Sequence, residues 1–246
     1  MLRLKQSLGE ESAYHSFKGL QKMCLLSTQR RKGAKKRLDA SLRLCVFALK
    51  NCSRSVILEH FKLNDKVALV TGASTGLGAA IAIALAQAGA QVTCHGNTRS
   101  PESTCDQIQS FGGVAHAISG DLGKQETAKS LVDQTLERFG RIDILINNAG
   151  TIRRTPAVDY SDEDWAAVIE VNLSSVFRLS KLVGKQMIEN GRGGKIVNIA
   201  SLLSFQGGIT VPAYAAAKGG VAQLTKALAN EWAKHRINVN AIAPGY

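Results

Sequence analysis

The chain has 246 residues, 45% hydrophobic and 20% charged, enough to bury one α/β core. Its formal net charge of +12 is unevenly spread: residues 1–60 hold 13 Lys/Arg against 4 Asp/Glu, and residues 61–246 hold 18 against 15. The basic character therefore belongs to the leading segment, and the nearly balanced remainder points away from a nucleic-acid partner.

Residues 1–60 read as a basic leader, disordered or translated from a misplaced upstream start. The apolar stretch at 42–49 is too short to span a membrane, and Arg43 interrupts it. A secretory signal would place its apolar region near Met1 ahead of a small-residue cleavage site, and neither feature is present. Glu10 and Glu11 argue against a transit peptide. Five cysteines (24, 45, 52, 94 and 105) form no Cys-x-x-Cys pair and read as free thiols of a reducing, cytoplasmic compartment. The five histidines show no ligand spacing, so no metal is expected.

From residue 61 onward the chain alternates apolar runs with helical patterns, as a parallel sheet requires. Residues 67–70 read as a buried strand, followed by Thr71-Gly-x-x-x-Gly-x-Gly78 and an Ala/Ile/Leu helix over 79–88 that stops at Gly89. Glycines between strand and helix let a pyrophosphate approach backbone N–H groups at a helix N-terminus. The cradle comprises Gly72, Ser74, Thr75, Gly76, Leu77 and Gly78; a purely structural turn is the alternative.

A second strand over 90–95 ends at Gly96-Asn-Thr-Arg99, with no carboxylate to hold ribose hydroxyls. Arg99 leans the dinucleotide toward NADP without excluding NAD. Ser100-Pro-Glu102 opens a helix, with Ser100 as N-cap and Pro101 as first helical residue. Further strands are read at 113–119, 143–146, 195–200 and 237–242. Two arginines, Arg153 and Arg154, follow the fourth strand where ligands bind in such sheets, and they could fork onto a substrate carboxylate. A solvated charge pair is the alternative. Ser161-Asp-Glu-Asp-Trp165 opens a long helix that carries Asn172.

Near the C-terminus, Tyr214-Ala-Ala-Ala-Lys218 places a phenol and an ammonium one turn apart on a helix face. A nearby cation favours the phenolate of a group with a free pKa of about 10. Such a tyrosine can exchange a proton with a substrate oxygen near neutral pH, and Ser201, from the end of the preceding strand, can hydrogen-bond that oxygen.

Taken in order, Thr71-Gly-x-x-x-Gly-x-Gly78, Asn147-Asn-Ala-Gly150, Ser201 and Tyr214-x-x-x-Lys218 resemble the short-chain dehydrogenase/reductase family over residues 61–246. The resemblance implies one Rossmann-like α/β domain, a doubly wound parallel sheet of order 3-2-1-4-5-6 with helices on both faces. It implies NAD or NADP as cofactor, bound by the glycine loop, by Asn148, Ala149 and Gly150, and by Tyr214 and Lys218. Asp121 would receive the adenine amino group and Leu122 would flank the ring, with an N-cap role for Asp121 as the alternative. Tyr214 would be the general acid/base, Lys218 would lower its pKa and hold the nicotinamide ribose, Ser201 would polarise the substrate oxygen, and Asn172 would hold a proton-relay water, with a buried asparagine kept only for structure as the alternative.

Residues 148–154, 204–212, 230–234 and 243–246 narrow the resemblance to the 2-deoxy-D-gluconate 3-dehydrogenase (2-keto-3-deoxygluconate oxidoreductase) branch. This implies a sugar-acid substrate anchored by Arg153 or Arg154, with a 3-oxoacyl-carrier-protein-type reductase or a non-catalytic dinucleotide-binding remnant as alternatives. Family members continue beyond this point with a substrate-covering loop, a helix pair and a last strand. The chain is thus expected to be incomplete at its C-terminus, with the sixth strand a long apolar edge. Full-length relatives are expected to be homotetramers or homodimers.

Overall fold

The structure is a computed structural model that describes residues 59–245. The expectations for the leader, and for Cys24, Cys45 and Cys52, lie outside the described residues. Strand β1 (Val67–Val70) has four apolar residues, all buried, as a central strand covered on both faces must. After it the chain alternates between helix and strand: α1 (Gly76–Gln87), β2 (Gln91–Gly96), α2 (Glu102–Ser110), β3 (Ala115–Ser119), α3 (Gln125–Phe139) and β4 (Ile144–Asn147). Then come α4 (Asp162–Ile169), α5 (Ser175–Asn190), β5 (Gly194–Ile199), the short α6 (Leu203–Gln206), α7 (Pro212–Trp232) and β6 (Ile237–Ile242).

The six strands form one parallel sheet of order β3-β2-β1-β4-β5-β6, the order expected. Successive strand residues point to opposite faces, and the core divides accordingly. Ala68 and Val70 pack with Ala82, Ala86, Val92, Cys94, Cys105 and Ile108 on the face covered by α1 and α2. Leu69 packs on the other face with Leu131, Leu145, Leu179, Met187, Ile196 and Trp232, from α3, α5, α7 and the neighbouring strands. Cys94 and Cys105 are free thiols in the first of these layers.

Four local details differ from expectation. Helix α1 begins at Gly76, inside the glycine turn, and ends with Ala88 as cap. Gly89 follows at φ +103, where an added Cβ would stand 2.3 Å from Asn64 Oδ1, so both conformation and space require glycine. At the start of α2 the cap shifts by one: Pro101 takes the N-cap position, and its carbonyl accepts from Thr104 and Cys105 N–H. Ser100 Oγ still accepts from Glu102 N–H at 3.3 Å.

The long helix expected to carry Asn172 is three pieces. Ser161 caps α4 by accepting from Asp164 N–H at 3.1 Å, with Asp162, Glu163 and Asp164 in the first turn favoured by the helix dipole. A single wider π-helical turn, Glu170–Ser174, joins α4 to α5 and carries Asn172. At the sheet edge, β6 alternates over its first four residues rather than being uniformly apolar, and Ala241 and Ile242 at its end are exposed. Ile237 and Val239 enter the core while Asn238 and Asn240 are exposed, and polar outward residues blunt an edge.

Gly184 of α5 faces Trp232 at the end of α7, where an added Cβ would lie 2.7 Å from the indole ring. Gly184→Ala is expected to lower stability by about 1–3 kcal/mol in urea unfolding, because a rigid indole enclosed by both helices cannot retreat. An unchanged midpoint would show that the two helices do not pack this closely.

Candidate active site

The loops that follow β1 and β4 meet at the C-terminal edge of the sheet. Asn148 Nδ2 donates to the carbonyls of Thr71 and Gly72, at 2.9 and 3.0 Å. The Thr71 hydroxyl accepts from the N–H groups of Asn148 and Ala149, each at 3.0 Å. This closeness dictates the glycines. Gly72 has φ +65, and its Cβ would lie 2.9 Å from Ala149 Cα; a Cβ on Gly78 would lie 2.1 Å from Gly72 O. Gly76, at φ +58, has no atom within 4 Å of its Cβ position and opens onto free space. Above it α1 presents the unpaired N–H groups of its first turn, with no acidic side chain there. Thr75 is the extended N-cap residue, Leu77 is half-exposed, and Ser74 Oγ donates to Arg99 O at 2.6 Å.

The neighbouring loop after β3 carries Asp121. Its carboxylate accepts from Gly123 N–H at 2.9 Å and from Asn97 Nδ2 at 3.3 Å. The first is a turn contact two residues on, and α3 takes Lys124, not Asp121, as its cap. Leu122 is buried in the core beneath, which leaves little of its side chain for a ligand.

On the other side of β4 stand Asn172, Gly150 and Lys218. Asn172 is fully buried, donating to the carbonyls of Thr151 and Val168 (both 2.8 Å) and accepting from Thr151 N–H at 3.3 Å. A Cβ on Gly150 would stand 2.7 Å from Asn172 Oδ1 and 3.9 Å from Lys218 Nζ, so the missing side chain is what lets these groups converge. Lys218 Nζ donates to Ile199 O at 2.5 Å and lies 5.6 Å from the Tyr214 ring centroid. Burial disfavours its ammonium form and lowers its pKa to about 8.

Ser201 follows β5, and its Oγ accepts from Leu203 N–H at 3.2 Å. Together with Tyr214, Arg154, Ile152, Leu203 and Ile209 it lines a cavity of about 210 Å³. The two arginines therefore separate: Arg154 faces this cavity, whereas Arg153 pairs with Asp164 at 3.4 Å. A larger, wide-open cleft of about 550 Å³, lined by Asn64, Gly89, Gln91 and Phe111, lies at the opposite, N-terminal end of the strands. Ligands of open α/β sheets bind at the C-terminal end, so the smaller cavity is the candidate site.

Several supporting residues carry no spacing signal in the sequence. Ser204 Oγ accepts from Ser201 N–H and donates to Lys218 O, tying the serine loop to α7. Asn147 Nδ2 donates to Asn198 Oδ1 and Ser180 Oγ, and Asn198 Nδ2 donates to Thr225 Oγ1, a buried polar line beneath the site. Among the described residues there is no cluster that could hold a metal ion, and no helix is long and apolar enough to cross a membrane.

Comparison with known proteins gives the family. A family model described as short chain dehydrogenase matches residues 66–246. The 2-dehydro-3-deoxy-D-gluconate 5-dehydrogenase of Escherichia coli is 50% identical over 191 residues, covering 78% of this chain and 75% of the relative. The Bacillus subtilis protein of the same name is 50% identical over 188 residues, covering 76% and 73%. A crystal structure from Agrobacterium tumefaciens, provisionally named 2-deoxy-D-gluconate 3-dehydrogenase and holding NADP, superposes with a TM-score of 0.70 at 53% identity, covering 76% of this chain and 73% of that one.

The depressed Lys218 pKa has a measurable consequence. Between about pH 8 and the ordinary lysine value near 10.5, the unfolded chain keeps a proton that the folded chain has released. Stability contributed at this position therefore rises with pH across that window, by up to about 1.4 kcal/mol per pH unit. Urea unfolding of wild type and Lys218→Met at pH 7.5, 8.5 and 9.5 should show the difference moving in favour of wild type as pH increases; parallel curves would contradict the burial.

Proposed function

The chain belongs to the short chain dehydrogenase family of oxidoreductases, and on that premise we propose that it interconverts a secondary alcohol and a ketone on a sugar acid, with NADP as hydride partner. The observation that carries this reading is the meeting of Ser201, Tyr214 and Arg154 on one cavity, backed by the buried Asn172 and Lys218 that converge beside Gly150. A dinucleotide fits what the neighbouring loops offer: open space over Gly76, a left-handed turn at Gly72, and helix N–H groups with no competing carboxylate.

NADP is favoured over NAD by the end of β2. A carboxylate able to hold both ribose hydroxyls has no room at Gly96, where a Cβ would come within 2.2 Å of Ser74 Oγ and 2.3 Å of Arg99 O. The following residues, Asn97, Thr98 and Arg99, are exposed and bring one positive charge and no negative one. The Agrobacterium relative holds NADP.

In this reading the nicotinamide supplies or takes up the hydride. The Tyr214 hydroxyl exchanges the proton with the substrate oxygen, and the Ser201 hydroxyl donates a hydrogen bond to that oxygen as it gains charge. Lys218 is cationic below about pH 8 and lies against the Tyr214 ring, where it stabilises negative charge on the phenolic oxygen. Asn172 sets Thr151 in place and, with the lone pair left on Oδ1, holds the water that relays protons to Lys218. Gly72, Ser74, Thr75, Gly76, Leu77 and Gly78 hold the pyrophosphate, Asp121 the adenine side with the Leu122 side chain turned away into the core, and Asn148, Ala149 and Gly150 the nicotinamide side. Arg154, facing the cavity, anchors the substrate carboxylate, while Arg153 is occupied by Asp164. The names of the Escherichia coli and Bacillus subtilis relatives support a 3-deoxy sugar acid as the substrate class.

With NADP and 2-dehydro-3-deoxy-D-gluconate, Tyr214→Phe is expected to reduce turnover by at least ~100-fold, the scale of general acid/base catalysis, while keeping the thermal stabilisation given by NADP. Retained turnover would remove Tyr214 from the chemistry. Arg154→Ala is expected to raise KM for the sugar acid by on the order of 10- to 100-fold, as loss of a charge-assisted bond does, with Arg153→Ala near wild type. The reverse pattern would move the anchor to Arg153.

A further inference from the structure

His95, in β2, is 1% exposed and is not among the residues lining the candidate cavity. All of its free hydrogen-bonding groups reach loops at the C-terminal edge of the sheet. Its backbone carbonyl accepts from Ala73 N–H at 2.7 Å, and its ring Nδ1 accepts from Gly72 N–H at 3.4 Å. On the other side of the ring, Nε2 lies 2.9 Å from Gly120 O. One neutral tautomer satisfies both ring contacts: Nδ1 bare as acceptor and Nε2–H as donor. A cationic ring would turn an N–H toward the Gly72 N–H, replacing a hydrogen bond with two facing donors.

Gly72 opens the glycine loop and Gly120 precedes Asp121, so the ring spans the segments proposed above for the pyrophosphate and the adenine. We propose that His95 is a positioning residue for the dinucleotide: as a neutral imidazole it holds the glycine loop and the Gly120–Asp121 loop in register, and its protonation releases the glycine loop and weakens dinucleotide binding. This inference rests on the dinucleotide reading of the site.

The surroundings are consistent with a ring kept neutral. Burial pushes the His95 pKa below its ordinary value, against the opposing pull of the Gly120 carbonyl and the Asp121 carboxylate. No titratable side chain comes from β1 or α1, and β3 contributes His116. On the segment leading into α3, and within α3 itself, Lys124, Glu126 and Lys129 are exposed to solvent, leaving Asp121 as the charge that acts on the ring. Glu102, Cys105 and Asp106 belong to α2, which covers the opposite face with Cys94. The sign follows. Above about pH 6.5 the ring is neutral in both folded and unfolded chains. As pH falls below that value the unfolded chain takes the proton first, so the stability contribution is lost progressively as the folded pKa is approached and passed. The loop contact is lost only when the folded ring itself titrates.

The test is the dissociation constant of NADP, by calorimetric titration from pH 7.5 to 5, for wild type, His95→Asn and His95→Gln. The Asn carboxamide oxygen can accept from Gly72 N–H, and the Gln carboxamide can donate to Gly120 O; neither titrates. Wild-type binding is expected to weaken by about fivefold more than either variant once the pH falls below the folded His95 pKa, which NMR titration of the ring locates; that factor is the size of one net hydrogen bond. His95→Asn should bind nearest to wild type at pH 7.5. A residue with a merely structural role would instead weaken binding equally at all pH values. Parallel pH curves for wild type and variants would overturn the proposal. Should the variants not fold, the wild-type His95 ring can be titrated by NMR with and without NADP. By reciprocity NADP must shift its pKa downward, and an unmoved pKa overturns the proposal. Tight NADP binding with no pH dependence defeats this inference alone, whereas absence of NADP binding at every pH defeats the dinucleotide reading as well.

Discussion

The contact on which the rest depends is the side-chain amide of Asn148 bonded to the carbonyls of Thr71 and Gly72. In the sheet order, β1 has β2 on one side and β4 on the other, so the chain winds outward in both directions from this pair. Loops leaving β1 and β4 therefore diverge, and a crevice opens between them. The Asn148 amide bridges the base of that crevice. It forces the backbones so close that Gly72 and Gly78 have no space for a side chain, while Gly76 is left facing open space. One polar contact thus makes both the floor of a ligand cradle and the reason its residues are glycine.

A second constraint operates on the far side of β4. Lys218 is buried and Asn172 fully so, and buried polar groups are tolerable only when they are hydrogen-bonded. Ile199 O receives the ammonium, and the backbone of Thr151 and Val168 occupies the amide. The π-helical turn at Glu170–Ser174 is the local departure from regular helix that carries Asn172 into this position. Beneath them, the Asn147–Asn198–Thr225 line fixes β4, β5 and α7 relative to one another. The geometry around Tyr214 is therefore held by buried polar bonds that apolar packing alone would not specify.

His95 shows the same logic at the other end of the crevice. Burying an imidazole on a strand is costly unless both nitrogens find partners, and here those partners are the backbone of two different loops. The side chain thus couples loops that share no direct sequence relation. The adjoining bond from Gly120 N–H to Gly96 O and the Ser74–Arg99 contact tighten the same corner.

Much of this is legible in the residues alone. The four-residue apolar run of β1, the glycines after it and the helical alternation that follows point to a parallel sheet, because those patterns reflect local backbone preference and burial on two faces. The doubly wound strand order comes from the resemblance of the motifs to a family. The Tyr214–Lys218 spacing follows from helix pitch alone. Other features depend on groups distant in the chain. Arg153 and Arg154 are adjacent and chemically identical, and only the position of Asp164 and the cavity wall separates them. The turn carrying Asn172 reads as ordinary helix, since its π geometry has no propensity signal of its own. His95 reads as one more strand residue until Gly72 and Gly120 close around it. Patterning within a segment decided what each element is; packing between segments, through buried hydrogen bonds that no linear spacing encodes, decided which side chains meet.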